Sequence, residues 1–135
     1  MQIGRKNVHG KGGVRFKTPY TSSKKKAQVR NLVTELVIYE KVTVTHSMVK
    51  PVIKEFDHLV TLAKKGDLHS IRQAASILKK YNVANKPEAL TKLFKDLSTR
   101  FASRNGGYLK VYKLENRKGD NAEVRMLTLA DSLRT

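Results

Sequence analysis

The histidine and acidic side chains are the first candidates for catalysis or metal binding in this chain. His46, His58 and His69 follow no metal-binding helix pattern such as His-Glu-x-x-His. Asp57 directly precedes His58, but adjacent helical residues point in different directions, so this carboxylate cannot orient the imidazole as an acid–base pair requires. The chain has no cysteine, which excludes thiol nucleophiles and thiolate metal sites. The sequence therefore predicts a protein that is not an enzyme and that binds no metal or cofactor.

A glycine-rich segment near the N-terminus contains residue types that bind phosphate in nucleotide-binding proteins. Gly10-Lys11-Gly12-Gly13 lacks the G-x-x-x-x-G-K-[ST] spacing, and no predicted strand precedes it. We therefore predict no nucleotide pocket and no small-molecule substrate.

Positive charge is the strongest compositional feature. The 135 residues include 28 Lys and Arg against 11 Asp and Glu, which gives a formal net charge of +17. Such an excess repels itself in a compact chain and implies a polyanionic partner. The apolar runs are far shorter than the roughly 20 residues that cross a membrane, and no secretory signal follows the basic N-terminus. The sequence predicts a nucleic-acid-binding protein that stays in the cytoplasm and does not enter a membrane.

The positive charge is concentrated ahead of Glu35, the first acidic residue. Residues 1–20 interleave cations with glycines and hold too little apolar surface to offset the entropy of ordering. We predict that residues 1–21 form an extension that is disordered without RNA, followed by one globular domain at residues 22–135. The alternative is a solvated tail that only aids solubility. The cations predicted to contact RNA in and beside the extension are Arg5, Lys6, Lys11, Arg15, Lys17, Lys24, Lys25, Lys26 and Arg30.

Hydrophobic periodicity predicts the helices that follow this extension. Ser22 or Ser23 is available as the N-cap of a first helix, and lysines crowd the positive end of its dipole, which favours a nearby anion. A short β-branched strand covers 42–45. A second helix ends at Gly66, a third is capped by Asp67, and a fourth opens at Pro87 and Glu88. The expected apolar face of the third helix consists of Leu68, Ile71, Ala75 and Leu78.

The last third of the chain changes to a β pattern. Residues 108–114 and 124–129 are β-rich runs separated by the polar turn 117–121, which predicts a hairpin. Leu109 and Val111 lie on one side of the first run, and Tyr108, Tyr112 and Leu114 lie on the other, so the sequence does not decide which side is buried. With strand 42–45 the hairpin can form a small sheet packed on helices. The predicted fold is α+β in the order helix, strand, three helices, two strands.

The segment between the fourth helix and the hairpin combines arginine, glycine and aromatic residues. Arg100 and Arg104 flank Phe101, and Gly106-Gly107 precedes Tyr108. Arginine forks pair with phosphates, and a tyrosine can stack on a base or ribose. Alternatively, the two glycines form only a turn and Tyr108 packs on a helix. We predict that Phe101 lies in the core and that both arginines contact RNA.

Several motifs together resemble the bacterial large ribosomal subunit protein seventeen family. They are Arg30-Asn31-Leu32-Val33-Thr34-Glu35-Leu36, Leu62-Ala63-Lys64-Lys65-Gly66-Asp67, Leu93-Phe94, Arg100-Phe101 with Arg104, Gly106-Gly107-Tyr108 and Gly119-Asp120-Asn121-Ala122. The resemblance covers residues 22–131 and implies the same α+β order. The resemblance also implies RNA binding by the residues that match the family's motifs. These are Arg30, Arg100, Arg104, Gly106, Gly107, Tyr108 and Arg117, and Lys118 lies beside Arg117 at the hairpin end.

The resemblance also implies a function. It indicates a structural component of the large ribosomal subunit, present in one copy and therefore not a homo-oligomer. Its expected partners are the 23S ribosomal RNA and neighbouring ribosomal proteins. The main alternative is a small basic nucleoid-type DNA-binding protein, although the sequence lacks a recognition helix rich in Arg, Asn and Gln. An RNA-modifying enzyme is a third class, which the lack of a catalytic constellation disfavours.

Overall fold

The computed structural model describes residues 22–81 and 83–130. These residues form four helices and one three-stranded antiparallel sheet, which confirms the predicted α+β fold. The extension predicted at residues 1–21 lies outside the described residues, as do residues 131–135. The helices are α1 (Ser22–Tyr39), α2 (Val49–Lys65), α3 (Leu68–Ile77) and α4, which consists of Ala89–Lys92, a π-helical segment Leu93–Leu97, and Ser98–Arg100. The strands are β1 (Lys41–Thr45), β2 (Leu109–Lys113) and β3 (Val124–Leu129), and a 3₁₀ turn, His46–Met48, links β1 to α2.

The predicted helix ends are found at α2 and α3. Gly66 ends α2 with φ 69°, and its N–H donates to the carbonyl of Leu62. That left-handed conformation suits glycine because a side chain would crowd the backbone. The Asp67 carboxylate then accepts the N–H of Ser70 at 2.8 Å and caps α3. These two residues end α2 and begin α3 with a single turn between them.

The predicted buried face of α3 is wrong in part. Leu68 is 60% exposed and Ala75 is also exposed, whereas Ser70 and Ala74 are buried together with Leu78. Residues spaced by four share one side of a helix, and small side chains at two of these positions let α3 pack closely against α2. Hydrophobicity alone predicts that Leu68 is buried. The close packing of α3 on α2 instead buries the side that carries the small residues.

The sheet has the order β1-β3-β2, with β3 in the centre. Val42 lies opposite Leu127, and Leu109 lies opposite Leu129. Leu127 and Leu129 are fully buried, so this side of the sheet packs in the core. The buried face of the hairpin is therefore the Leu109 side, and Tyr112 lies on the exposed face of edge strand β2. The two sides are not cleanly separated, because Val111 is 43% exposed whereas Tyr108, just before β2, is buried.

The core joins all four helices to the sheet. Phe101, predicted as a core residue, is fully buried, and so are the other large members of this cluster: Phe56, Leu36, Leu59, Leu93, Leu97, Leu127 and Leu129. Phe101 follows the last turn of α4 and lies four residues after Leu97. The loop that carries Arg104 therefore starts from a fixed point in the core.

Candidate nucleic-acid interface

Three helix ends meet around one groove on the surface. The groove has a volume of about 720 Å³. The first turns of α1 and α2 and the last turn of α3 form its walls. Its lining residues are Lys25, Lys26, Val29, Arg30, Lys50, Pro51, Lys54, Glu55, Ser76 and Ile77. We call this surface the basic groove.

The charge of the basic groove is strongly one-sided. Five of its lining residues are lysine or arginine, and Glu55 is the one acidic residue among them. Neither α1 nor α2 has an acidic residue in its first turn, where a carboxylate would normally stabilise the helix dipole. The first turns of two helices and five cations therefore line one groove, which suits phosphate groups.

Arg30 has a structural role in this groove. Its Nε donates to the carbonyl oxygen of Ile77 at 3.0 Å, and its Nη2 donates to that of Ser76 at 2.7 Å. These bonds satisfy carbonyl groups at the end of α3, which have no partner within their own helix. Nearby, the Thr34 hydroxyl accepts the N–H of Lys79 at 3.1 Å. Arg30 thus fixes two walls of the groove, in addition to its predicted RNA contact.

The sequence-based reasoning missed two cations of the groove, Lys50 and Lys54. Both lie in the first turns of α2, on either side of Pro51, and both are exposed. They reach the lysines of α1 only because the helices pack together, so no local spacing in the sequence indicated them. The predicted Lys25, Lys26 and Arg30 do lie in the groove, whereas the predicted cations within residues 1–20 lie outside the described residues.

A second predicted site, the loop after Phe101, has a defined internal geometry. The Lys64 ammonium donates to the carbonyl oxygen of Arg104 and, at 2.8 Å, to the hydroxyl of Tyr108. The exposed Arg104 donates through Nη1 to the carbonyl of Gly107 at 3.2 Å. Gly107 has φ 60°, and a Cβ atom there would have no heavy atom within 4 Å. The glycine is thus required by the backbone conformation, and the space beside it is open.

Tyr108 is part of the core. The residue is 5% exposed, and its ring lies 5.1 Å from the ring of Phe101, measured between centroids. The sequence left two alternatives for Tyr108, stacking on a base and packing inside the domain. The burial of this residue favours packing, because stacking requires an accessible ring face. The Tyr108 hydroxyl donates to the carbonyl of Arg104 at 3.2 Å.

Arg100 is engaged in ion pairs within the domain. Its Nη1 and Nη2 donate to the two carboxylate oxygens of Glu40, at 3.0 and 3.2 Å, and Lys92 bonds the same carboxylate at 2.8 Å. Glu40 has φ 66°, an unusual left-handed conformation for a non-glycine residue, at the turn between α1 and β1. Arg100 thereby holds this turn against α4, a role that the sequence motif did not indicate.

The ionisation of the Glu40 carboxyl makes the stabilisation from these ion pairs depend on pH. Burial alone would raise its pKa, but the hydrogen bonds and charges of Arg100 and Lys92 outweigh burial and lower the pKa below its usual value of 4.5. A lowered pKa in the folded state stabilises the domain above about pH 4.5, and this stabilisation is lost as the pH falls through the folded-state pKa.

We expect Glu40→Gln to lower the free energy of unfolding by about 1 kcal/mol near neutral pH, because two partly exposed ion pairs are lost. The difference from wild type should shrink as the pH falls below about 4.5. Urea unfolding from about pH 7 to about pH 3 measures both effects. A difference that stays constant over this range would mean that the ionised carboxylate does not provide the stabilisation.

The hairpin end is the third predicted site. The Arg117 Nε donates to Asp120 at 3.1 Å, and this contact lowers the pKa of Asp120 to about 2. The N–H of Ala122 also donates to Asp120, at 3.1 Å. These bonds fold the turn, and Lys118 and Gly119 lie exposed at its end. The loop is therefore an ordered projection with cations on its surface.

The described residues contain no group of three or more histidine or acidic side chains that could hold a metal ion. In the same ranges, no helix combines the length and apolar character needed to cross a membrane.

Comparison with known proteins identifies the family. The family model described as ribosomal protein L17 matches residues 28–130. Large ribosomal subunit protein bL17 of Mycoplasma capricolum subsp. capricolum is 50% identical over 103 residues, which cover 76% of this chain and 87% of that protein. The bL17 proteins of Exiguobacterium sp. and Streptococcus gordonii are 43% and 40% identical, and the matches cover 81% of this chain in both cases and 92% and 93% of those proteins. The matched region contains all three strands and all four helices, apart from the first turns of α1. The chain therefore belongs to the ribosomal protein L17 family.

Proposed function

We propose that this chain is a structural constituent of the large ribosomal subunit that binds and stabilises folded large-subunit ribosomal RNA. The observation that carries this proposal is the basic groove, with five cations and one carboxylate, in a member of a family whose relatives are named large ribosomal subunit proteins. The proposed location is the ribosome in the cytoplasm, and the proposed partners are the RNA and neighbouring ribosomal proteins. The chain acts in one copy and catalyses no reaction.

The proposed mechanism is electrostatic. Cations that approach phosphates release the counterions condensed on the RNA, and this release supplies much of the binding free energy. Lys24, Lys25 and Lys26 at the start of α1 bind phosphates together with the groove lysines. The exposed Arg104 beside the Gly106-Gly107 turn, and Arg117 with Lys118 at the hairpin end, provide further contacts.

The extension at residues 1–21 binds RNA in this proposal. Its cations are Arg5, Lys6, Lys11, Arg15 and Lys17, and its glycines allow the backbone to pass close to phosphates. Arg100 and Tyr108 take no direct part, because Arg100 is paired with Glu40 and the Tyr108 ring is buried. They keep the Arg104 loop in place.

The test of this function is cosedimentation of the full chain with large ribosomal subunits after a high-salt wash. Retention on the subunit at one copy per particle supports the proposal. A DNA-binding function predicts instead that duplex DNA competes better than ribosomal RNA and that the protein fractionates with the nucleoid. Release from the subunit by the wash together with DNA preference would overturn the proposal.

Deleting residues 1–20 should leave the domain folded but reduce its incorporation into large subunits. The fold persists because α1 begins at Ser22 and the core residues start at Val29. Circular dichroism checks folding, and sucrose gradients measure incorporation. A full-length variant with glutamine in place of the five extension cations is the control, because it separates the loss of charge from the loss of chain length. Incorporation equal to wild type for the deletion would show that the extension does not bind RNA.

A further inference from the structure

The floor of the basic groove is apolar. Val29 is 8% exposed, and Pro51 and Ile77 are half-buried. A phosphate backbone that follows the surface needs only the cations, and it gains nothing from aliphatic side chains between them. A ligand that uses both parts of the groove must have a flat or apolar body and a negative charge. An unpaired nucleotide has this combination, because its base faces are apolar and its phosphates are charged.

The size and the arrangement of the groove agree with such a ligand. About 720 Å³ lies within the range of roughly 300–1,000 Å³ that is typical of pockets for small ligands, and a whole duplex is far larger than this. Lys26 on α1 and Lys50 and Lys54 on α2 line the same groove as Val29, Pro51 and Ile77, so one bound nucleotide can meet both ammonium groups and apolar side chains. The walls keep their positions through the bonds from Arg30 to the end of α3.

Glu55 gives the groove a hydrogen-bond acceptor among the cations. A carboxylate near phosphates weakens purely electrostatic binding, so its presence suits a ligand that also offers a donor. The exocyclic amino groups of cytosine and adenine are donors, and carboxylates accept from such groups. A base without an amino group would leave this acceptor unused.

We propose that the basic groove holds a single unpaired nucleotide of the large-subunit RNA, with its base on Val29, Pro51 and Ile77 and its phosphates on Lys26, Lys50 and Lys54. This inference rests on the proposed function and names the site and the RNA element that this site binds. An acidic peptide with apolar side chains is the competing occupant. RNA is favoured because the chain belongs to a family whose relatives are named large ribosomal subunit proteins.

Photo-crosslinking in assembled subunits tests the occupant. Ser76→p-benzoylphenylalanine places the reactive group at the groove edge, on an exposed position. The same residue at Thr91, which is exposed on α4, serves as the control. We expect Ser76 to give one RNA crosslink, at an unpaired nucleotide, and Thr91 not to give it. Crosslinks only to paired nucleotides, or only to a protein, would overturn the inference while leaving the proposed function intact. Failure of the wild-type chain to enter subunits would instead reject the function.

Filling the groove without changing its charge gives a second test. Ser76→Trp should weaken binding to deproteinised large-subunit RNA about tenfold, because the indole takes the space of the base. The dependence of affinity on salt should stay as in wild type, since every cation remains. Thr91→Trp should change neither quantity. Wild-type affinity for Ser76→Trp, with folding verified by circular dichroism, would show that no base enters the groove.

Discussion

Phe101→Ala should lower the free energy of unfolding by about 3–5 kcal/mol, measured by urea unfolding. The ring is fully buried, contacts Tyr108, and stands beside Leu97 in the core that joins α4 to the sheet. Truncation removes this apolar surface and leaves a cavity that the surrounding helices cannot close completely. A loss of this size is a large part of the total stability of a small domain.

Tyr108→Phe is the matched control for Phe101→Ala. It keeps the neighbouring ring and removes only the hydroxyl that accepts from Lys64 and donates to Arg104. The expected loss is about 0.5–1.5 kcal/mol, the usual range for one hydrogen bond. A loss below about 1 kcal/mol for Phe101→Ala would contradict the core role of this ring.

Residues 100–108 show which structural roles a local sequence motif can predict and which it cannot. Phe101 was predicted to lie in the core, and the structure confirms this, since a large aromatic side chain is often buried. The partner of Arg100 could not be predicted, since Glu40 precedes it by 60 residues and lies at the end of another helix. A motif shows which residue types occur together, whereas the fold determines which charges are already paired.

The elements themselves were predictable because their signals are local. The Gly66 and Asp67 pair marks adjacent helix ends, and the β-rich runs mark the hairpin. The buried side of α3 was not predictable from hydrophobicity, because Leu68 is exposed and the small Ser70 and Ala74 pack inward. Tertiary packing determined this face, and it also brought Lys50 and Lys54 to the lysines of α1.

Because helix packing brings these lysines together, the groove indicates the kind of ligand more specifically than net charge does. Net charge predicts binding to any polyanion, because it carries no geometry. The groove adds a position, an apolar floor and a ring of cations contributed by two helices. These features favour a ligand that presents negative charge and an apolar surface together, as the proposed nucleotide does. The proposed RNA contact is therefore local enough to be removed by a few substitutions.

Replacing Lys26, Lys50 and Lys54 together with glutamine should reduce the salt dependence of RNA binding. Each phosphate contact contributes about 0.7–0.9 to the slope of log K against log salt, so three lost contacts lower its magnitude by roughly 2–3. Affinity at about physiological salt should fall at least tenfold, while binding in low salt should persist through the remaining cations. Filter binding to large-subunit RNA over a series of salt concentrations measures both quantities.

The triple glutamine variant of Lys41, Lys110 and Lys113 is the control, because it removes the same charge from exposed positions on the sheet. An equal change in slope for both variants would mean that RNA responds to total charge and that the groove has no special part. Stability provides a further distinction. Three lysines around one groove repel one another, so their neutralisation should maintain or raise the free energy of unfolding while binding weakens. Weaker binding together with unchanged or higher stability is expected when side chains are positioned for a ligand. Replacing residues that serve only the fold lowers the stability of the protein instead.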